Sequence, residues 1–121
     1  MLSQNPELSG IWAVWDVPAE GVLAAARAAG REDLKVATQD LGLNVAIALA
    51  KDETVVGLGA QRPYEQGVTE ARLAALALLG EETPAYVALP SLPVTHETVL
   101  ENWTDVYAEE PPSERTDSFV E

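Results

Sequence analysis

Short apolar runs alternate with longer helix-forming stretches along most of this 121-residue chain, and that alternation restricts the folds open to it more than any single motif does. Ile11-Trp12-Ala13-Val14-Trp15 is a β-favouring run, introduced by the turn-like Leu8-Ser9-Gly10. Asp16-Val17-Pro18 opens an Ala-rich helix: proline suits a first helical turn, where its missing N–H is not needed, and Gly30 is placed to end the helix. Leu34 to Thr38 reads as a second strand, and Leu43 to Ala50 as a short helix, because Asn44 and the alanines disfavour a strand. After the turn Lys51-Asp52-Glu53 comes a third strand, Thr54 to Gly59. Pro63 starts the clearest helix, which runs to Leu79, stops at Gly80 and lines Val68, Ala71, Ala75, Leu78 and Leu79 along one stripe. Ala85 to Leu89 is expected as a fourth strand, Pro90 to Pro93 as a stiff extended crossing, and Thr95 as the cap of a last helix through Tyr107. That helix would turn Val99, Leu100, Trp103, Val106 and Tyr107 inward. The whole pattern predicts an α/β fold with a mainly parallel sheet and right-handed crossovers.

The composition narrows the function classes. Hydrophobic residues make up 47% of the chain, enough for a real core. Twenty acidic groups against seven basic ones leave a net charge of −13, which repels phosphate backbones and anionic lipid and argues against nucleic-acid binding. The same acidity also serves plain solubility. From Asp105 onward stand six acids (Asp105, Glu109, Glu110, Glu114, Asp117, Glu121) against Arg115, and this Pro-, Ser- and Glu-rich end reads as a mobile tail. With no cysteine, disulfides and thiolate chemistry are excluded. Met1 to Gly10 has neither a basic region nor an apolar core of signal-peptide type, and Leu73 to Leu79, the longest apolar stretch, is too short to span a bilayer, so neither an export signal nor membrane insertion is expected.

In open parallel sheets, ligands bind beyond the carboxyl ends of the strands. Three such ends here run out into Trp15-Asp16, Gln39-Asp40 and Gln61-Arg62. These residue types suit a sugar. A carboxylate accepts hydrogen bonds from neighbouring hydroxyls, an amide donates to one and accepts from another, and an indole covers the apolar face of a pyranose. Each has a structural reading beside it: Asp16 as a helix cap, Asp40 as a turn former beside Gly42, Gln61 as a hinge residue, and Trp15 as core in the manner expected of Trp12 and Trp103. Arg62 and Tyr64 read mainly as helix-start surface.

Other chemistries fare poorly. His96, the sole histidine, has no acid–base or metal cluster near it in sequence and is expected at the surface. Gly57-x-Gly59 hints at a dinucleotide fingerprint, but Arg62 occupies the third glycine position. No Walker loop or nucleophile elbow appears, so the sequence reads as neither an enzyme nor a cofactor protein. A receiver-type signalling domain phosphorylated on Asp16 or Asp40 remains a competing reading, although it would need a lysine near the aspartate, and Lys35 and Lys51 are the only lysines.

Four segments carry a resemblance. Ala13-Val14-Trp15-Asp16-Val17-Pro18-Ala19-Glu20-Gly21 resembles the N/W-D-x-x-A-x-G segment of type I periplasmic sugar-binding proteins of the ribose and rhamnose group. Val36-Ala37-Thr38-Gln39-Asp40 is similar to the family's V-x-G-F/x-D strand end, Gly59 to Gly67 to its Q-x-P-Y-x-Q-G segment, and Leu92-Pro93-Val94-Thr95 to its closing x-L-V-T stretch. The resemblance implies a Rossmann-like, three-layer α/β sandwich, present only in part, with Trp15, Asp40 and Gln61 touching a ligand and Asp16 binding or orienting its loop. Gln39 stands where the ribose-type pattern has an aromatic, and Trp15 where it has Asn. Implied partners are a monosaccharide or small polyol and an ABC permease, at a periplasmic or cell-surface location; the effector domain of a LacI-like regulator shares the fold. Residues 1–62 would form a C-terminal-lobe segment. Residues 63–90 would be a helix–strand piece that pairs with the other lobe, 91–107 a returning helix and 108–121 a flexible acidic tail. Because the stripe on helix 64–79 would face a lobe this chain lacks, a homodimer exchanging that piece is expected, with fold-back onto its own sheet as the alternative.

Overall fold

The first three strands form at the apolar runs, although β1 stops at Trp12, short of the expected Trp15. In a computed structural model describing residues 1–112, Gly10–Trp12 (β1), Lys35–Gln39 (β2) and Val55–Ala60 (β3) lie side by side in chain order and pair in parallel. Leu92–Val94 (β4) adds antiparallel to β3 and completes a four-stranded sheet. The helices are Asp16–Ala28 (α1), Leu43–Ala50 (α2), Pro63–Leu78 (α3) and Val99–Tyr107 (α4), with 3-10 turns at Leu2–Gln4 and His96–Thr98. Glycine ends two helices as expected. Gly30 (φ +64) follows α1 while the Arg31 N–H reaches back to the Ala26 carbonyl at 2.9 Å, and Gly80 (φ +77) follows α3 with the Glu81 N–H on Leu76 at 3.0 Å. Both are Schellman closures, in which an αL residue satisfies the orphan carbonyls of the last turn.

Parallel strands laid down in one direction by crossovers of one hand put α1 and α2 on the same face of the sheet. The two helices touch, and α2 touches α4. Under this layer Val36, Thr38, Leu58, Ala60 and Val94 are buried, joined by Leu34, Leu41, Val45 and Leu49. The opposite face is bare: Trp12 is 62% exposed, and Val56, which a register shift between Val36 and Ala37 leaves unpaired, is exposed as well. The described residues therefore supply two layers of a sandwich whose third layer would cover Trp12. Trp12 is not core, contrary to expectation, because nothing among the described residues packs on its side of the sheet, whereas Trp103 on α4 is 9% exposed.

The second half of the chain differs from the sequence reading in two places. Ala85 to Leu89 forms no strand; it lies in an irregular stretch from 81 to 91 that pairs with no strand among the described residues, with Tyr86 82% exposed. The fourth strand is instead Leu92–Val94, which begins in the Pro90 to Pro93 segment expected to be an unpaired crossing and runs one residue past it. Pro93 fits there because β4 is an edge strand. Helix α3 has no buried residue, and it touches α4. Its partly covered side runs along Gln66, Thr69, Leu73 and Leu76, and the expected stripe faces outward, with Val68 exposed and Leu78 89% exposed. The fold-back alternative does not occur in this structure. The expected acidic tail falls mostly at 113–121, outside the described residues.

Side-chain hydrogen bonds fasten the ends of the sheet. Arg31 donates to the carbonyls of Pro6 (3.0 Å) and Leu8 (2.6 Å), tying the segment before β1 to the start of β2, and its pairing with Asp33 holds that carboxyl below its ordinary range. Asn102 donates to the Pro93 carbonyl at 3.1 Å and to Thr98 Oγ1 at 3.0 Å, pinning α4 to β4. Thr95, expected to cap the last helix, instead precedes the 3-10 turn that leads into it, its N–H donating to Thr98 Oγ1 at 3.1 Å, and α4 itself starts after Thr98. His96 is half-buried rather than a plain surface residue, its Nδ1–H donating to the Leu49 carbonyl at 3.2 Å.

The starts of α1 and α2 approach so closely that a β-carbon at Gly42 would collide with the Asp16 carboxylate, although Gly42 itself has an ordinary φ of −64°. A β-carbon at Gly21, in the middle of α1, meets nothing within 4 Å. Gly42→Ala should therefore destabilise the fold by about 1–3 kcal/mol through overpacking. Gly21→Ala should stabilise it by about 0.5–1 kcal/mol through lower unfolded-state entropy. Urea unfolding curves of the two variants should move in opposite directions.

Candidate functional site

Because β1, β2 and β3 are parallel and adjacent, their carboxyl ends emerge on one edge of the sheet. All five residues picked from the sequence sit at that edge. Trp15 is the N-cap of α1, with extended backbone (φ −158°, ψ −179°), and its indole is 47% exposed. Asp16 is the first residue of α1. Its Oδ1 accepts the N–H of Val17 at 2.8 Å, and its carboxylate packs against Gly42. Gln39 closes β2, and Asp40 follows it in the left-handed region at φ +67°. Gln61 comes immediately after β3.

Register decides which of these meet. Gln39 lies opposite Gly59, and the Asp40 N–H donates to the Gly59 carbonyl at 3.0 Å. This brings Asp40 beside Gln61, whose Nε2 donates to Asp40 Oδ1 at 2.7 Å. Gln66, on the first turns of α3, donates in turn to Gln61 Oε1 at 3.4 Å. A shallow cleft of about 200 Å³ opens here, lined by Asp40, Leu41, Gln61, Pro63 and Tyr107. Asp16 packs against Gly42, two residues on from Asp40. Gln39 is not in the cleft: strand alternation with buried Thr38 turns its side chain to the bare face.

Tyr107 is the cleft residue that sequence reasoning assigned to the core. Its ring does lie against Trp103, centroids 4.1 Å apart, but its hydroxyl donates to the Leu41 carbonyl at 2.9 Å. The available signal was the hydroxyl itself, which demands a partner when a tyrosine is buried. Arg62 and Tyr64 do not line the cleft. Arg62 pairs with Glu65 at 2.9 Å, and Tyr64 is exposed.

Larger depressions lie elsewhere, including an apolar groove of about 460 Å³ along α1 lined by Leu2, Ile11 and Val22, and charged hollows around Arg27 and Glu53. None gathers polar groups at a strand-end crevice of the kind where open α/β sheets bind ligands. The small volume at Asp40 and Gln61 is below the roughly 300–1,000 Å³ of a complete small-molecule pocket, as suits one wall of a site shared with a second wall. Among the described residues no group of three His, Asp or Glu is placed to hold a metal. Lys35 begins β2 and so lies at the opposite edge from Asp40, and Lys51 follows α2; neither is placed for phosphoryl chemistry at Asp40. No helix among the described residues is long and apolar enough to cross a membrane.

Comparison with known proteins agrees with this architecture. No curated protein matches the chain by sequence. An ABC sugar transporter subunit from Rhodobacter sphaeroides 2.4.1 superposes with a TM-score of 0.71 at 31% identity, over 80% of this chain and 36% of that one. An ABC transporter solute-binding protein from Agrobacterium vitis, solved with bound allitol, gives 0.73 at 31% identity, over 84% and 37%. A second A. vitis solute-binding protein, bound with α-D-tagatopyranose, shares the fold at a TM-score of 0.80 and 23% identity, over 89% and 37%. The chain thus spans little more than a third of the length of these relatives. The model of the periplasmic binding protein domain matches residues 1–82, two thirds of the sequence, and with β1 to α3 inside that span the chain belongs to the periplasmic binding protein domain family.

Proposed function

We propose that this chain binds a monosaccharide or related small polyol at the carboxyl edge of its parallel sheet, as part of the substrate-binding component of an ABC sugar importer acting in the periplasm or at the cell surface. The hydrogen-bonded pair Asp40–Gln61 carries the reading. A carboxylate retains several acceptor sites beyond the one Gln61 occupies, and the amide offers one donor and one acceptor. Together they match neighbouring hydroxyls on a sugar ring. Trp15, exposed at the same edge, supplies an apolar plate for the ring's C–H face, and Asp16 orients the loop between them. Gln39, turned to the bare face, stands outside this binding wall. The role is recognition without catalysis. The solved relatives with bound allitol and tagatopyranose support the ligand class.

In this reading residues 1–62 and 91–107 make one wall of a two-walled receptor, and 63–90 is the piece that reaches to the other wall. The outward stripe of α3, with Val68 and Leu78, and the exposed Tyr86 and Val87 beyond it support such a contact. Each large apolar side chain left in water forgoes about 1.5–3 kcal/mol of burial. When the chain is alone, a second copy meets that need by exchanging the same piece, and an ABC permease is the partner of the completed receptor.

A complete receptor of about micromolar affinity has roughly −8 kcal/mol of binding free energy, and one wall supplying half of it binds at about millimolar Kd. Calorimetry of this chain with allitol and with D-tagatose should therefore give a Kd on the order of millimolar, and Asp40→Ala should weaken it at least about tenfold. Absence of binding at tens of millimolar would remove the sugar reading, and a sub-micromolar Kd would show a complete site in this chain alone. Light scattering at tens of micromolar protein should report about twice the 12.9 kDa chain mass. A monomer at that concentration would remove the exchanged dimer.

A further inference from the structure

We propose that Tyr107 is a positioning residue for the Asp40–Gln61 pair, acting through the backbone of the β2–α2 loop. The loop has three constraints on it. Asp40 is held at φ +67°, a conformation that L side chains other than Asn and Asp seldom adopt, and its N–H is fixed on Gly59. Gly42 is wedged against the Asp16 carboxylate. Between them Leu41 is anchored twice: its side chain is 2% exposed in the core, and its carbonyl receives the Tyr107 hydroxyl at 2.9 Å. The Leu41 carbonyl lies in the peptide plane shared with Gly42, so holding it together with the Leu41 side chain, while the Asp40 N–H is held on Gly59, narrows the ψ open to Asp40 and so the direction in which its Cα–Cβ bond leaves the loop.

Tyr107 is itself immobilised. It is the last residue of α4, its ring rests on Trp103, and the following Ala108 ends the helix at φ +55°. Its anchor comes from the far end of the sequence, 66 residues from the loop it holds. The aim of Asp40 toward Gln61 therefore depends on α4 being docked, and α4 docks through β4 after the chain has made its excursion through α3. Tyr107→Phe removes the hydroxyl that holds Leu41 and keeps the ring that rests on Trp103. What the pair is used for rests on the sugar reading above; the clamp does not.

The experiment is NMR on the full chain, wild type against Tyr107→Phe. Exchange of the Asp40 backbone amide should accelerate about three- to tenfold, the factor expected for losing one hydrogen bond. The Gln61 side-chain amide signals should move toward those of a free glutamine. Amides of Val36 and Val45, in the core, should exchange at wild-type rates. Titration with allitol should show the variant's affinity lowered by a similar factor. Unchanged Asp40 exchange and Gln61 signals would overturn the proposal, and so would acceleration spread evenly over Val36 and Val45, which would make Tyr107 a general stabiliser. A wild-type chain that binds no allitol would count against the sugar reading, and the exchange comparison would still decide the role of Tyr107.

Discussion

The ladder between β2 and β3 is the contact on which everything else in this chain is hung. It is the central pairing of the sheet, flanked by β1 on one side and β4 on the other. Its register places Gln39 opposite Gly59 and thereby delivers Asp40 to Gln61. A slip of one residue would turn Val36 and Thr38 out of the core and carry Asp40 away from its partner. The burial of Val36 under α1 and α2 and the pairing of Asp40 with Gln61 are thus two readouts of one alignment. The irregularity between Val36 and Ala37 shows how firmly the far end is specified: Val56 is left out at the near end, and the register at Gln39 is kept.

Above that ladder the site is assembled from three directions. The β1 end brings Trp15 and Asp16 to the same end of the sheet, the β2 and β3 ends carry the hydrogen-bonded pair, and α4 reaches over to hold Leu41. Glycine at 42 is what lets the first two come together, for reasons of space rather than of backbone angle. The result is a rigid, open wall with its polar groups already paired to one another. A ligand hydroxyl would enter an existing network and would not have to create one.

Local physics made much of this readable in the sequence. The apolar runs gave β1 to β3 to within a few residues. Pro18 and Pro63 marked helix starts, and Gly30 and Gly80 marked stops, because those effects act within one turn of chain. Strand-end placement alone selected Asp40 and Gln61. What escaped is non-local. Ala85 to Leu89 has the composition of a strand but pairs with none among the described residues, while Leu92–Val94 takes the second edge of β3 despite Pro93. Trp12 has every property of a core residue except a covering layer. Gln39 was placed at the right edge, and only its parity with Thr38 shows that it looks the other way. Tyr107 joined the site through a fold-back of the chain that periodicity cannot see.

The bare face of the sheet also bears on how such a chain behaves in company. A parallel sheet is ordinarily covered on both sides, and among the described residues β1 also leaves one edge without a hydrogen-bonding neighbour, next to an exposed Trp12. That combination invites edge-to-edge stacking of like molecules. Two features of the chain oppose it: β1 is only three residues long, and a net charge of −13 makes every approaching copy a repelling one. Salt screens that repulsion, with a Debye length of about 8 Å at physiological ionic strength, while the apolar attraction is left in place. Among the described residues the acidity therefore opposes unspecific edge-to-edge stacking, and added salt weakens that opposition.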